Sequence, residues 1–176
     1  MTRRQQKRII DTNVPITANR ALDPKATHEE LPCILACVNA VEFVVENGGM
    51  VIDAGDEIFD EYRTNLKLKG QPGVGDKFVK WVHDHRWSFP PEDRVPITRT
   101  GDTYAEFPDH EGLKDFDRSD RKFVAVANAH PDKPPILEAT DSKWCGWKDS
   151  LEEVGITVIF LCKDFVEQKY QEKMGS

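Results

Sequence analysis

The sequence predicts an α/β fold, a three-layer α/β/α arrangement with a five-stranded, mostly parallel sheet between two layers of helices. Three observations lead there. Short apolar, β-branched runs alternate with longer segments of helical period. No segment repeats or falls to low complexity. The 176 residues suit one domain able to bury about 70% of its unfolded surface. The expected domain is 1–176, with a core at about 7–162, a short basic N-terminus and a C-terminal tail.

Lys7–Asp11 (KRIID) is a short buried strand that ends in polar Thr12-Asn13. Thr27-His28-Glu29-Glu30 has the form of a capping box, Thr27 accepting from first-turn amides and Glu30 bonding back. The helix it opens carries Leu31, Leu35, Val38, Val41 or Glu42, and Val45 on its apolar side, and Gly48-Gly49 stop it. Met50–Asp53 (MVID) is a second strand, and Asp56–Leu68 is helical with Ile58, Phe59, Tyr62 and Leu66 apolar. Gly70 to Gly75 is a turn, after which Asp76 caps a helix carrying Phe78, Val79, Trp81 and Val82. Val95–Thr98 is a weak third strand that Pro96 confines to an edge. Thr100–Lys114 is a long polar loop of a length that suggests function. Arg118–Ala129 is a helix, Pro135–Thr140 (PILEAT) a fourth strand, Leu151–Val154 a short helix, and Ile156–Leu161 a fifth and most apolar strand.

Composition excludes several classes. No run approaches 18 apolar residues, and Ile9-Ile10-Asp11 is no secretory signal core, so a cytoplasmic protein is expected. Cys33, Cys37, Cys145 and Cys162 are too few for a dense disulfide framework and read as reduced thiols. A zinc site with His83 and His85 lacks a close Cys-x-x-Cys pair, and the two histidines flank Asp84 at a helix surface. The net charge of −7 argues against a strong polyanion binder, more so because Arg3, Arg4, Lys7 and Arg8 all lie in the first eight residues.

The placement of the acids alters that argument. Parallel α/β sheets bind ligands at the carboxyl ends of their strands. Two predicted strands end in polar clusters with an acid, Asp11-Thr12-Asn13 and Thr140-Asp141-Ser142, while Glu61 and Asp120 face inward from helices, with Asp117 a turn earlier. Converging carboxylates raise one another's pKa, and a hard divalent cation relieves the repulsion. Mg²⁺ or Mn²⁺ held there would polarise a phosphodiester and activate a water. Taken singly, each acid has a plainer role: Asp11 or Asp141 in a turn, Asp120 and Asp117 answering a helix dipole, Glu61 on a solvated face.

The series IIDTN (9–13), DEIFDEY (56–62), FDRSDRKFVAVANA (116–129) and ILEATDSKW (136–144) resembles the PIN-domain nucleases, over residues 7–162. The resemblance implies strand order 3-2-1-4-5 and a metal-dependent endonuclease, usually directed at RNA, single-stranded or structured. It assigns Asp11, Glu61, Asp120 and Asp141 to catalysis and metal binding, Asp117 as a further ligand, and Asn13, Thr140 and Ser142 as supporting groups. Arg118, Arg121 and Lys122 are either solvated helix charge or phosphate contacts. Trp144 and Trp147 either stack on a base or are buried against the last helix. The family includes toxins of toxin–antitoxin pairs, so an antitoxin protein and a homodimer are the partners implied. The competing class is a PIN-like module with a weakened site that works through protein or nucleic-acid binding. Aspartyl-phosphate chemistry fits poorly, because Asn13 stands where a phosphatase needs a second Asp and Ile9-Ile10 where a receiver domain needs acids.

Overall fold

The computed structural model describes residues 5–175. Among these residues, seven α-helices and a small parallel sheet make a mixed α/β fold. Strand β1 (Ile9–Ile10) is followed almost at once by α1 (Asn13–Ala18), then α2 (Leu31–Asn47), β2 (Ile52–Asp53), α3 (Glu57–Asn65) and α4 (Val74–His85). Next come β3 (Arg94–Val95), a hairpin of β4 (Arg99–Thr100) and β5 (Thr103–Tyr104), and α5 (Arg121–Ala129). The chain closes with β6 (Ile136–Glu138), α6 (Lys143–Glu153), β7 (Val158–Phe160) and α7 (Lys163–Met174).

The main sheet holds three parallel strands in the order β1-β6-β7, not the five expected. Ile9 pairs with Ile136, and Glu138 with Phe160. Strands β2 and β3 form a separate parallel pair, Ile52 opposite Arg94 and Asp53 opposite Val95. A single parallel bridge between Arg8 and Met50 links the two ladders. Backbone geometry limits the pairing. Gly48 and Gly49 adopt φ of 72° and 84° just before Met50, and Pro96, which has no N–H to donate, directly follows the two-residue β3.

All residues of β1, β2 and β6 are buried, as expected for parallel strands covered on both faces. Strand β7 is an edge, with Val158 inside and Ile159 42% exposed. The packed face of α2 is Ile34, Cys37, Ala40, Val41 and Val44, so the predicted face is wrong by about one position: Leu31, Leu35 and Val45 are exposed. Because α2 is apolar almost all round, its period cannot choose a side. The small side chains of Cys37 and Ala40 permit the close packing that does.

The capping expectation is met in half. Glu30 accepts from the Thr27 N–H at 2.7 Å, but the Thr27 hydroxyl also donates to Glu30 instead of accepting from the helix. Arg20 completes the Glu30 environment at 2.6 Å. Helix α1 is an element the sequence did not announce, and its packing is close: a Cβ on Gly75 of α4 would meet the Pro15 carbonyl oxygen at 1.9 Å. Gly75 therefore belongs to the helix and not to the predicted turn. Within the expected loop, Gly101 turns the β4–β5 hairpin at φ 66°. Helix α6 starts at Lys143, eight residues before the predicted start, and the expected tail is α7.

The cysteines depart furthest from expectation. Cys33 and Cys162 form a disulfide, Cα–Cα 4.9 Å, which ties α2 to the start of α7 and leaves Cys37 and Cys145 free. A sequence separation of 129 hides that pairing from any spacing argument. The histidines have other partners: His83 bonds Asp84, and His85 bonds the Trp81 carbonyl. Among the described residues, no helix is long and apolar enough to cross a membrane.

Candidate functional site

Strand β1 ends where Asp11 begins, and the Asp11 N–H extends the ladder by donating to the Leu137 carbonyl at 3.1 Å. The Asp11 carboxylate turns back to accept from the Asn13 N–H at 2.9 Å, which starts α1. On the neighbouring strand β6, the last residue is Glu138, fully buried. Its Oε1 accepts from the N–H groups of Ala139 at 3.1 Å and Asp141 at 3.4 Å. Its Oε2 is buried with no protein N–H or O–H donor.

Asp11 and Glu138 are two buried carboxyls at the ends of adjacent parallel strands, close enough for each to act on the other's titration. Burial pushes Asp11 up to about 6, offset in part by the Asn13 amide and Glu138. Burial and the Asp11 charge push Glu138 well above the usual carboxylate range. Ionised, its Oε2 would be a buried charge without a partner, a costly state unless a cation reaches it.

Three further sequence-predicted acids lie within electrostatic reach. Asp120, the residue before α5, makes no side-chain cap bond. Burial pushes its carboxyl up to about 8, and Asp11, Asp117, Asp141 and Glu61 add to the rise. Asp141 accepts from the Lys143 N–H at 3.0 Å at the start of α6. Glu61 reaches the cluster from α3, where it accepts from the Thr12 hydroxyl and from Lys122 Nζ at 3.3 Å. Tyr62 beside it donates to the Ile10 carbonyl at 2.5 Å and pins α3 to the end of β1.

Other expected site groups have structural partners. Asp117 caps the turn at Ser119, accepting from its N–H at 3.0 Å and its hydroxyl at 2.8 Å; those bonds and Lys143 at 3.2 Å hold its pKa below the ordinary value. Ser142 Oγ accepts from Lys173 Nζ of α7. Arg121 is spent on the Phe116 and Lys114 carbonyls and the Thr103 hydroxyl, and so braces the 103–116 segment. Arg118 pairs with Asp102 at 2.7 Å on the rim of an open cleft of about 450 Å³ next to Asp117. Lys122 lies inside the cluster, paired with Glu61. Thr140 is half-buried in the loop between Glu138 and Asp141, and Asn13 contributes its main chain. Trp144 is fully buried edge-on to Phe116. Trp147, half-buried, also packs on Phe116, so neither ring forms an open stacking surface. Of the basic N-terminus, Arg3 and Arg4 lie outside the described residues, while Lys7 bonds Asp93 at 2.7 Å and Arg8 stacks on Phe43.

Glu138 is the residue the sequence argument missed. Its signal was there: a carboxylate closing the run Ile136-Leu137-Glu138, at a position the apolar pattern makes interior. Asp53 occupies the matching place on β2, yet its two oxygens are consumed by the Glu57 and Ile58 N–H groups at 2.8 and 2.9 Å.

The carboxylate oxygens do not converge on one point. Among the described residues, the one group of three or more His, Cys, Asp or Glu whose ligand atoms all lie within 4.8 Å is Cys33, Cys37 and Cys162. Mg²⁺ does not require such convergence, since the ion keeps several waters and binds through one or two carboxylates. The buried orphan oxygen of Glu138 and the all-oxygen donor set fit a hard cation. Comparison with protein-family models, with curated proteins and with solved structures gives no match.

Proposed function

We propose that the protein is a PIN-like, Mg²⁺- or Mn²⁺-dependent endonuclease that hydrolyses RNA phosphodiester bonds. The observation that carries this reading is the buried Asp11–Glu138 carboxyl pair at the ends of adjacent parallel strands, ringed by Asp120, Asp141 and Glu61. The Arg8–Met50 bridge supports it as well, because through that bridge the parallel segments follow the order β3-β2-β1-β6-β7, the order 3-2-1-4-5 that the resemblance implies.

Asp11, Glu138, Asp120 and Asp141 would hold the ion, directly or through water, and Asp117 lies at the margin. A bound Mg²⁺ or Mn²⁺ would supply Lewis acidity toward a phosphodiester oxygen and a lowered pKa for a coordinated water. The chain's own groups position these parts. Asn13 and Ala139 N–H groups orient the two strand-end carboxyls, and Lys122, steered by Glu61, offers a cation beside the acids. Cleavage of a mixed RNA pool with Mn²⁺ tests the reading. Wild type should cut, and Asp11→Asn and Asp120→Asn should lose at least about tenfold; equal cleavage by all three proteins overturns it.

The weakened-site alternative draws on one observation, that Lys122 occupies Glu61. Calorimetric titration with Mn²⁺ separates the two. Heat that disappears in Asp141→Asn favours the nuclease, and no heat in the wild type favours a binding module.

A further inference from the structure

Cys33 and Cys37 stand one turn apart on α2, and Cys162 occupies the position that starts the 12-residue helix α7. All their sulfurs lie within 4.8 Å of one another. A disulfide between Cys33 and Cys162 explains two of the three. Cys37, with none of its surface exposed, converges on the same point without entering that bond.

We propose that this trio is a thiolate site for one soft, thiophilic metal ion of the Zn²⁺ or Cu⁺ class, opened when the Cys33–Cys162 disulfide is reduced. A dithiol reductant of the thioredoxin class supplies two electrons and two protons. The S–S bond breaks, Cys33 and Cys162 become thiols, and the reductant leaves as its own disulfide. The entering ion then displaces the thiol protons as three metal–sulfur bonds form, and the protons go to solvent.

Size, access and electrostatics agree. Metal–sulfur bonds of about 2.3 Å put the sulfurs of a tetrahedral or trigonal site about 3.8–4.0 Å apart, within the span these side chains already cover. Cys33 is half-buried and Cys37 and Cys162 are buried, so an ion enters past Cys33 into a dry interior. The N-terminal end of α7 favours a thiolate at Cys162. Burial pushes the Cys37 thiol up to about 12, so it keeps its proton until an ion takes its place. The chemistry is soft where that of Asp11 and Glu138 is hard, so the two sites select different ions.

The test is titration of the full chain, reduced and oxygen-free, with Co²⁺ and Cd²⁺. The readout is sulfur-to-metal charge-transfer absorption, which carboxylates do not produce. The reduced wild type and Cys145→Ser should each bind one ion, and the oxidised protein none. Cys37→Ser, which leaves the disulfide able to form and so controls for folding, should bind at least about tenfold more weakly. The absence of a charge-transfer band in reduced wild type, or a band of unchanged affinity in Cys37→Ser, overturns the proposal. Neither result depends on the RNA-cleavage reading.

Discussion

The carboxyls of Glu138 and Asp11 lie at the carboxyl ends of two adjacent parallel strands, both are buried, and each acts on the other's titration. An amide at position 138 keeps an oxygen to accept from the Ala139 and Asp141 N–H groups but can carry no charge. Glu138→Gln is therefore expected to fold with a melting temperature within a few degrees of wild type, while Mn²⁺ affinity and RNA cleavage each drop at least about tenfold. Glu138→Ala should instead destabilise by about 1–3 kcal/mol, because it leaves the Ala139 and Asp141 N–H groups without their shared acceptor. Thermal melts and calorimetry on the pair check both.

Asp11 and Asp120 make the stability of the metal-free protein depend on pH in a defined direction. Each has a folded pKa above its ordinary 3.8, about 6 for Asp11 and about 8 for Asp120. The folded chain therefore holds these protons more tightly than the unfolded one. Their contribution is most favourable below about 4 and is lost as pH rises, through about 6 for the first and about 8 for the second. With chelator present, stability should decline by about 1–3 kcal/mol between pH 5 and 8, reduced by screening at half-buried Asp120. Asp120→Asn should flatten the upper part of that decline, and Mn²⁺ should reverse it. Denaturant midpoints at constant ionic strength are the measurement, and a curve that rises over this window would refute the assignment.

Lys122 pairs with Glu61, and on the proposed reading a bound metal ion would compete with it for that carboxylate. Their side chains are 12% and 24% exposed and lie 3.3 Å apart, a partly desolvated pair. Lys122→Met should cost the metal-free protein about 1–2 kcal/mol, because it leaves Glu61 beside other acids without its counter-ion. The same change should tighten Mn²⁺ binding several-fold. Calorimetry showing weaker Mn²⁺ binding would mean that Lys122 does not compete.

Gly75→Ala probes the packing that positions Asp11. The added methyl would lie 1.9 Å from the Pro15 carbonyl oxygen, which is backbone and cannot swing away. Helices α1 and α4 must then separate, at an expected cost of about 2–4 kcal/mol in urea denaturation. Because α1 begins two residues after Asp11, the surviving folded fraction should also bind Mn²⁺ more weakly.

The parts of this fold legible in the sequence are those decided by neighbouring residues. The run Ile9-Ile10-Asp11 marks a buried strand with an acid at its end, Met50–Asp53 marks another, and the apolar spacing of 56–68 and 118–129 marks helices. These features rest on local period and on side-chain shape. The acids Asp11, Glu61, Asp120 and Asp141 could be singled out because each sits at an element boundary or on a helix in such a segment. Their convergence was an expectation of the sequence, but which of them are buried and how strongly each is perturbed was not legible, since that depends on distances between elements. Glu138 escaped notice because an apolar strand hides one acid inside it, and its importance comes from Asp11 on the adjacent strand.

Local pattern by itself thus determined that strands and helices alternate and where the strand-end acids fall. Tertiary structure decided which face of the mostly apolar α2 is covered, that three strands and not five form the main sheet, that Cys33 finds Cys162, and that Glu138 is buried beside Asp11. Each of these is a contact between segments far apart in the chain. Such contacts are selected by packing volume and by the energy of burying charge, and neither leaves a periodic trace in the sequence.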